Sequence, residues 1–144
     1  MFKTLKKRIK NEKGLSLVEL LAVIVILAIV SAIAIPAIGN IINNSRDKAV
    51  LSDYQSLIST AKIAYVDGEC AGADGCTADS LDFKSDKIDT SKAVIKFDTN
   101  GVASIATTGQ KNDFKGKRLT TKYTDKKLPA NTTETTLNEL LEGK

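Results

Sequence analysis

The strongest pattern in this 144-residue chain is an apolar segment close to its start. The 21 residues from Leu15 to Ile35 include one charged side chain, Glu19, and two serines. A helix of that length rises about 30 Å, which is the thickness of the hydrocarbon core of a bilayer. The pattern therefore predicts a single membrane-spanning helix.

The helical periodicity continues after the apolar segment. From Ile38 to Tyr65, apolar residues recur at spacings of three and four, which is typical of an amphipathic helix. We predict one helix from about Leu15 to Val66, ended by a loop that opens at Asp67-Gly68. Within it, Pro36 and Gly39 should kink or locally loosen the helix, because proline removes a backbone donor and crowds the preceding turn. Most charged residues of the second half should lie on the other side of this helix: Arg46, Asp47, Lys48, Asp53 and Lys62.

A β-hairpin is predicted around the turn Asp98-Thr99-Asn100-Gly101. A two-residue Asn-Gly loop would set Phe97 opposite Ser104. A three-residue loop with Gly101 in the left-handed conformation would instead set Phe97 opposite Ala103 and Ile95 opposite Ile105. We favour the second register, because it places the large apolar residues on one face of the sheet.

Two further elements complete the predicted α+β fold, in which about three antiparallel strands pack on the amphipathic half of the helix. Alternation at Leu119, Thr121 and Tyr123 predicts the third strand. Near the C-terminus, Thr136 and Glu139 resemble a capping box that opens a short helix. The apolar residues of that helix are Leu137, Leu140 and Leu141.

Charge is concentrated at the N-terminus. Residues 1–14 hold six of the 21 bases and one of the 17 acids, so their net charge is +5 and that of the other 130 residues is −1. The positive-inside rule then keeps residues 1–14 cytoplasmic and exports everything after Pro36. DNA is an unlikely partner, because a binding domain needs its positive charge on the folded part. The chain has no His, the commonest general base, and we predict no enzymatic activity.

Two simpler explanations of the apolar segment are weaker. Ala32-Ile33-Ala34 fits the cleavage site of a secretory signal peptide, but the apolar run is too long for one and Glu19 interrupts its start. A plain uncleaved anchor would leave Glu19 without a purpose, since a carboxylate within an apolar span costs about 2.5–3.5 kcal/mol to insert. Cleavage after Gly14 would supply a partner, because Leu15 would gain a free amine one helical turn before Glu19.

Cys70 and Cys76 are predicted to form a disulfide, since they lie close together in an exported loop. The loop also carries several acids, which raises the possibility of calcium binding. Its pattern Asp67-x-Glu69-x-Ala71-Gly72 fails at the third ligand position of a calcium loop. We therefore expect solvated loop charges, with no metal and no cofactor.

The residues Lys13-Gly14-Leu15-Ser16-Leu17-Val18-Glu19-Leu20, followed by a long apolar helix, resemble the processing site of type IV prepilins. The resemblance is close over residues 8–36 and loose beyond them, where the long helix and small antiparallel sheet are similar to the pilin layout. It departs from the family at Leu15, where Phe is usual, and at Ser16, where Thr is commoner. Both substitutions keep the required character, apolar at the first position and a small hydroxyl at the second.

The resemblance implies a structural subunit of a type IV pilus, a surface filament used in adhesion, twitching motility and biofilms. Residues 1–14 would be the leader peptide, 15–36 the membrane and filament-core part of the helix, and 37–144 the amphipathic half with an extracellular head. A prepilin peptidase would cleave after Gly14 and methylate the new amine of Leu15. Implied partners are further copies in a helical filament, minor pilins, an assembly ATPase and its membrane platform.

Two alternatives remain open at this point. The same N-terminal motif occurs in pseudopilins of type II secretion and in competence pili for DNA uptake. The mature net charge disfavours a DNA-gripping tip, although one local basic patch keeps it possible: Lys111, Lys115, Lys117, Arg118 and Lys122. An exported enzyme tethered by its helix is weaker, since the head has no His and no recognisable nucleophile motif.

Overall fold

The structure, a computed structural model, describes residues 16–70 and 74–144. The chain divides into two compact units, unit 1 (Met1–Gly39) and unit 2 (Asn40–Lys144). The helices and strands, in chain order, are α1 (Leu17–Val66), β1 (Cys76–Thr77), β2 (Val94–Phe97), β3 (Ala103–Thr107), α2 (Lys117–Lys122), β4 (Thr132–Thr133) and α3 (Glu134–Glu142). The predicted α+β class, with a long N-terminal helix and an antiparallel sheet, is confirmed.

Helix α1 ends where the sequence predicts, through a Schellman motif. The Gly68 amide donates to the Tyr65 carbonyl at 3.2 Å, and the Glu69 amide donates to the Ala64 carbonyl at 2.9 Å. Gly68 holds a left-handed backbone conformation with φ of +83°, which a residue without Cβ adopts at low cost. These bonds satisfy carbonyl groups that the end of a helix would otherwise leave without donors.

The sheet has four antiparallel strands in the order β1-β2-β3-β4. In its central hairpin Ile95 pairs with Ile105 and Phe97 pairs with Ala103, which confirms the predicted register. Gly101 has φ of +77°, as the three-residue loop requires. Ile95, Ile105 and Ala103 are consequently buried together on the side of the sheet that meets the core.

The third strand was predicted at the wrong place. Leu119 and Thr121 lie in helix α2, and the Tyr123 amide that follows it donates to the Leu119 carbonyl at 2.8 Å. An apolar pair four residues apart fits a strand period of two and also one turn of helix, so the pattern alone does not separate them. The outer strands of the sheet are β1 and β4, which have two residues each and are too short to show alternation.

The last helix was predicted correctly, but its cap lies three residues earlier. Thr133 is the N-cap of α3, and its hydroxyl accepts from the Thr136 amide at 3.4 Å. Thr133 and Thr136 are each followed by residues suited to a first helical turn, so both are plausible caps in sequence. Pairing of Thr132 and Thr133 with β3 keeps the chain extended up to Thr133 and thereby sets the start of the helix.

The hydrophobic core lies entirely in unit 2, between α1, the sheet and the two short helices. The largest completely buried side chains are Tyr54, Leu51, Leu57, Ile58, Ile88, Ile95, Ile105, Phe114, Leu119, Leu137 and Leu140. The α1 members of this set recur at spacings of three and four, which confirms the later part of the predicted amphipathic stripe. Its first apolar members, Ile38, Ile41 and Ile42, are exposed.

Candidate assembly segment and the contacts that build unit 2

The apolar segment of α1 has no cover within the part of the chain that the structure describes. Its most apolar 18-residue window has a mean hydropathy of 3.0, and none of that window is buried. The exposed large side chains run from Leu17 to Ile42, with Ile35 at 70% exposure. So continuous an apolar surface requires lipid or other protein around it. It is the one helix among the described residues long and apolar enough to cross a membrane.

At its start, α1 is closed by a capping box formed by Ser16 and Glu19. The Glu19 amide donates to the Ser16 hydroxyl at 3.2 Å, and the Ser16 amide donates to a Glu19 carboxylate oxygen at 3.3 Å. Sequence reasoning missed this role and treated the carboxylate as lacking a partner before cleavage. The spacing Ser-x-x-Glu before an apolar run was the signal available for it.

Four other residues of the segment were predicted to matter: Gly14, Leu15, Pro36 and Gly39. Gly14 and Leu15 lie outside the described residues, so cleavage between them and pairing of the Leu15 amine with Glu19 stay predictions. Pro36 and Gly39 both lie inside α1, and the kink expected of them also stays a prediction. A Cβ added at Gly39 would meet no described atom within 4 Å, so no close contact requires glycine there.

Cys70 and Cys76 form the predicted disulfide. Cys76 belongs to β1 and pairs with Ile95 of β2, so the bond ties the chain just after α1 to the edge of the sheet. Next to it, Gly75 lies against the Ile95 backbone with φ of +76°, where a side chain would not fit. The calcium pattern over residues 67–72 extends into residues that are not described. Within residues 16–70 and 74–144, no group of three or more metal-ligating side chains comes together.

Asp47 is the clearest departure from the predicted polar face of α1. It is 4% exposed, and its carboxylate accepts from the Lys115 amide at 3.0 Å and from the Gly116 amide at 2.7 Å. A Cβ at Gly116 would lie only 2.7 Å from the Asp47 carboxylate and 3.0 Å from the Asn44 Cα. The glycine therefore lets the loop before α2 approach the helix closely, and the carboxylate holds it there.

Three further polar contacts connect α1 to the rest of unit 2. The Tyr54 hydroxyl donates to the Thr108 carbonyl at 2.6 Å, and burial raises the pKa of this phenol above its usual range. Farther along the helix, Gln55 donates to the Asn138 side chain at 2.9 Å. Lys62 forms an ion pair with Glu134 at the start of α3. Together these contacts attach the strand β3 and the helix α3 to one face of α1.

A known family matches the start of the chain. Residues 9–35 fit the family model described as the prokaryotic N-terminal methylation motif, which covers 27 of the 144 residues. The matched range includes Gly14, Leu15 and Glu19, whose individual roles it does not test. No curated protein and no solved structure matches this chain.

Proposed function

We propose, from the premise that the methylation motif at residues 9–35 is characteristic of type IV pilin precursors, that this chain is a structural subunit of a type IV pilus. The motif is the single observation that carries the proposal. An apolar helix left uncovered in unit 1, in a chain with a disulfide-bonded α+β head, fits such a subunit. The motif itself supports a precursor of a pilin-like or pseudopilin subunit.

The precursor is anchored in the membrane by the apolar part of α1, with residues 1–14 in the cytoplasm and unit 2 outside. A prepilin peptidase cleaves after Gly14 and methylates the amine of Leu15. Removal of the leader takes away a net charge of +5 and leaves an apolar helix with an amine at its tip. Both groups of the Ser16–Glu19 capping box remain after this cut, because it precedes Leu15.

Assembly then moves the helix from lipid into a bundle of identical helices. We propose that Glu19 contacts the Leu15 amine of its own chain or of a neighbour, so that a carboxylate in an apolar environment gains a charged partner. The assembly ATPase and its platform supply the work of extraction, and the mature subunit lies in an extracellular filament. The subunit itself contributes surfaces rather than catalysis.

The intact mass of the mature protein from native cells, with fragmentation of its N-terminus, tests this proposal. A chain that starts at Leu15 with one added methyl group is the expected result. A chain that still starts at Met1, or one that starts at Ile35, would contradict it and indicate a plain anchor or a secreted protein. Surface filaments that contain the mature chain would then separate a pilin from a pseudopilin.

One observation favours the alternative of a competence pilus for DNA uptake: several lysines in and before α2 are exposed. Lys111, Lys115 and Lys117 are all solvent-exposed, and so is Lys122. DNA binding through these residues would weaken steeply with added salt, because each phosphate contact releases counterions. Binding of duplex DNA to purified filaments, measured against salt concentration, distinguishes this alternative from an adhesive or motile pilus.

A further inference from the structure

Charge is distributed unevenly along unit 2. The segment 67–98, which follows α1, holds eight acids and four bases. The segment 111–127, which contains α2, holds seven bases and two acids. Most of these side chains are exposed, so the two segments present opposite net charges to their surroundings.

The basic segment lies against the early turns of α1 in unit 2, where Asp47 holds it through the Lys115 and Gly116 amides. Part of the acidic segment reaches the same region, because Lys87 contacts Asp53 and its carbonyl accepts from the Lys111 amide at 3.0 Å. The early turns of α1 in unit 2 therefore carry charges from both segments.

Four bases lie around the early turns of α1 in unit 2, and we call Arg46, Lys48, Lys115 and Lys117 the basic ring. Arg46 and Lys48 flank Asp47, so they project on two different sides of α1 at nearly the same height, about 3 Å apart along the axis. The loop held by Asp47 supplies Lys115 on the third side, and Lys117 follows as the first residue of α2. Arg46 and Lys115 line one cleft of about 370 Å³. A ring at one height suits a flat surface that crosses the helix axis.

All four members of the basic ring are exposed, and none takes part in an ion pair within the described residues. Asp47, Asp86 and Asp113 line the same cleft as Arg46 and Lys115, and each of these acids contacts another partner. Asp47 accepts from two backbone amides, Asp86 pairs with Lys87 at 2.8 Å, and Asp113 lies 3.8 Å from Lys127.

The basic ring directly follows apolar surface along the helix. Ile41 and Ile42 are exposed in unit 2, and Arg46 comes one turn after Ile42. Apolar side chains followed within one turn by exposed cations are the arrangement that favours a membrane interface. We propose that the basic ring binds the phosphate groups of anionic phospholipids on the outer face of the membrane while the precursor is anchored there. The proposal rests on the membrane-anchored precursor described above.

Amide hydrogen exchange on the full-length precursor in lipid vesicles tests this proposal. One set of vesicles is entirely phosphatidylcholine, and the other contains about one-third phosphatidylglycerol. With about 0.05 M salt, we expect exchange of the amides at residues 44–50 and 115–122 to slow about threefold or more in the anionic vesicles, and to recover near 0.5 M salt. The amides of β2 and β3 should exchange equally in both vesicles.

A matched pair of variants assigns the effect to the basic ring. The ring variant carries Arg46→Gln, Lys48→Gln, Lys115→Gln and Lys117→Gln. The control variant removes the same charge elsewhere, by Lys84→Gln, Lys92→Gln, Lys96→Gln and Lys144→Gln. Only the ring variant should lose the lipid-dependent protection. Unaltered β2 and β3 exchange in both variants verifies that unit 2 is still folded.

Three results would overturn the proposal: equal exchange in both vesicles, equal loss in both variants, or protection that depends on protein density instead of lipid charge. The last result would indicate contact with another copy of the chain. Protection by duplex DNA but not by phosphatidylglycerol would assign the basic ring to nucleic acid. Failure of the anchored precursor itself is recognised separately, since the chain would then not float with the vesicles.

Discussion

Leu27 in unit 1 and Leu57 in unit 2 occupy the same helix but have opposite surroundings. Leu27 is 58% exposed, while Leu57 is completely buried against the sheet and the short helices. Both are apolar, and both favour helix. In unit 2 the burial of α1 stabilises the fold of the chain. In unit 1 the apolar surface remains uncovered, and under the proposed function its burial would drive insertion in lipid and assembly between chains.

The largest expected effect concerns assembly and lies in unit 1. Glu19→Ala should leave cleavage after Gly14 intact, yet lower filament yield about tenfold or more, because the Leu15 amine would lack its carboxylate in an apolar environment. Filament yield by electron microscopy and processing by mass spectrometry measure the two effects separately. Normal filament yield would contradict the pairing.

Ser16→Ala is the matched control for that variant. It removes the hydroxyl of the capping box and leaves the Glu19 carboxylate in place. A lost N-cap costs about 1 kcal/mol of helix stability, so filament yield should change little. If Ser16→Ala reduced the yield as strongly as Glu19→Ala, the cap and not the amine would account for the effect.

The next largest effect compares the two leucines directly. Leu57→Ala should lower the free energy of unfolding of unit 2 by about 2–5 kcal/mol, through lost burial and the cavity left behind. Leu27→Ala should change it by less than about 0.5 kcal/mol, because nothing in the described chain packs on that side chain. Urea unfolding of the full chain in detergent micelles measures both. Similar losses from the two variants would refute the distinction between the units.

Removal of the disulfide should have an intermediate effect. The double variant Cys70→Ser, Cys76→Ser should lose about 2 kcal/mol, the value expected for a closed loop of this size. The wild-type chain treated with a reductant provides a check, since its midpoint in urea should fall to that of the variant. No change on reduction would show that the bond adds nothing to stability.

Asp47→Asn should cost about 1–3 kcal/mol, because one backbone amide of the Lys115–Gly116 loop would face a donor instead of a carboxylate oxygen. Asp53→Asn is a useful comparison on the same helix. Asp53 accepts from the partly exposed Ser85 hydroxyl and Lys87 ammonium, so its loss should matter less. A larger cost for Asp53→Asn would mean that the loop before α2 does not depend on Asp47.

The smallest effect is expected for Tyr54→Phe, about 1 kcal/mol at neutral pH, from the bond to the Thr108 carbonyl. Burial raises the pKa of Tyr54 in the folded state above its value in the unfolded chain, which is near 10. The stability that the protonated phenol contributes is therefore complete below the pKa of the unfolded chain and is lost as pH rises above that pKa. The variant should therefore lose less stability than wild type between about pH 9 and 11. If the free energy of unfolding fell equally with pH in the two proteins, this linkage would be contradicted.

Several features of this protein are specified by short stretches of sequence. Three features depend only on residues that are close together in sequence: the length of the apolar segment, the end of α1 at Gly68 and the register around Gly101. The hairpin shows the reason most clearly. A single residue of slip would turn Ile95 and Ile105 to opposite faces, so the local pattern admits one good pairing.

Other features were settled only by contacts between distant parts of the chain. Leu119 and Tyr123 fit a strand as well as a helix, and the close approach of Gly116 to Asp47 brings the loop before α2 against α1. The sequence predicts that Asp47 faces solvent, but in the structure two amides, 68 and 69 residues away, donate to its carboxylate. Helix and strand propensities differ by less free energy than such burial and hydrogen bonds contribute. Where the local preferences are nearly balanced, tertiary contacts therefore decide which structure forms.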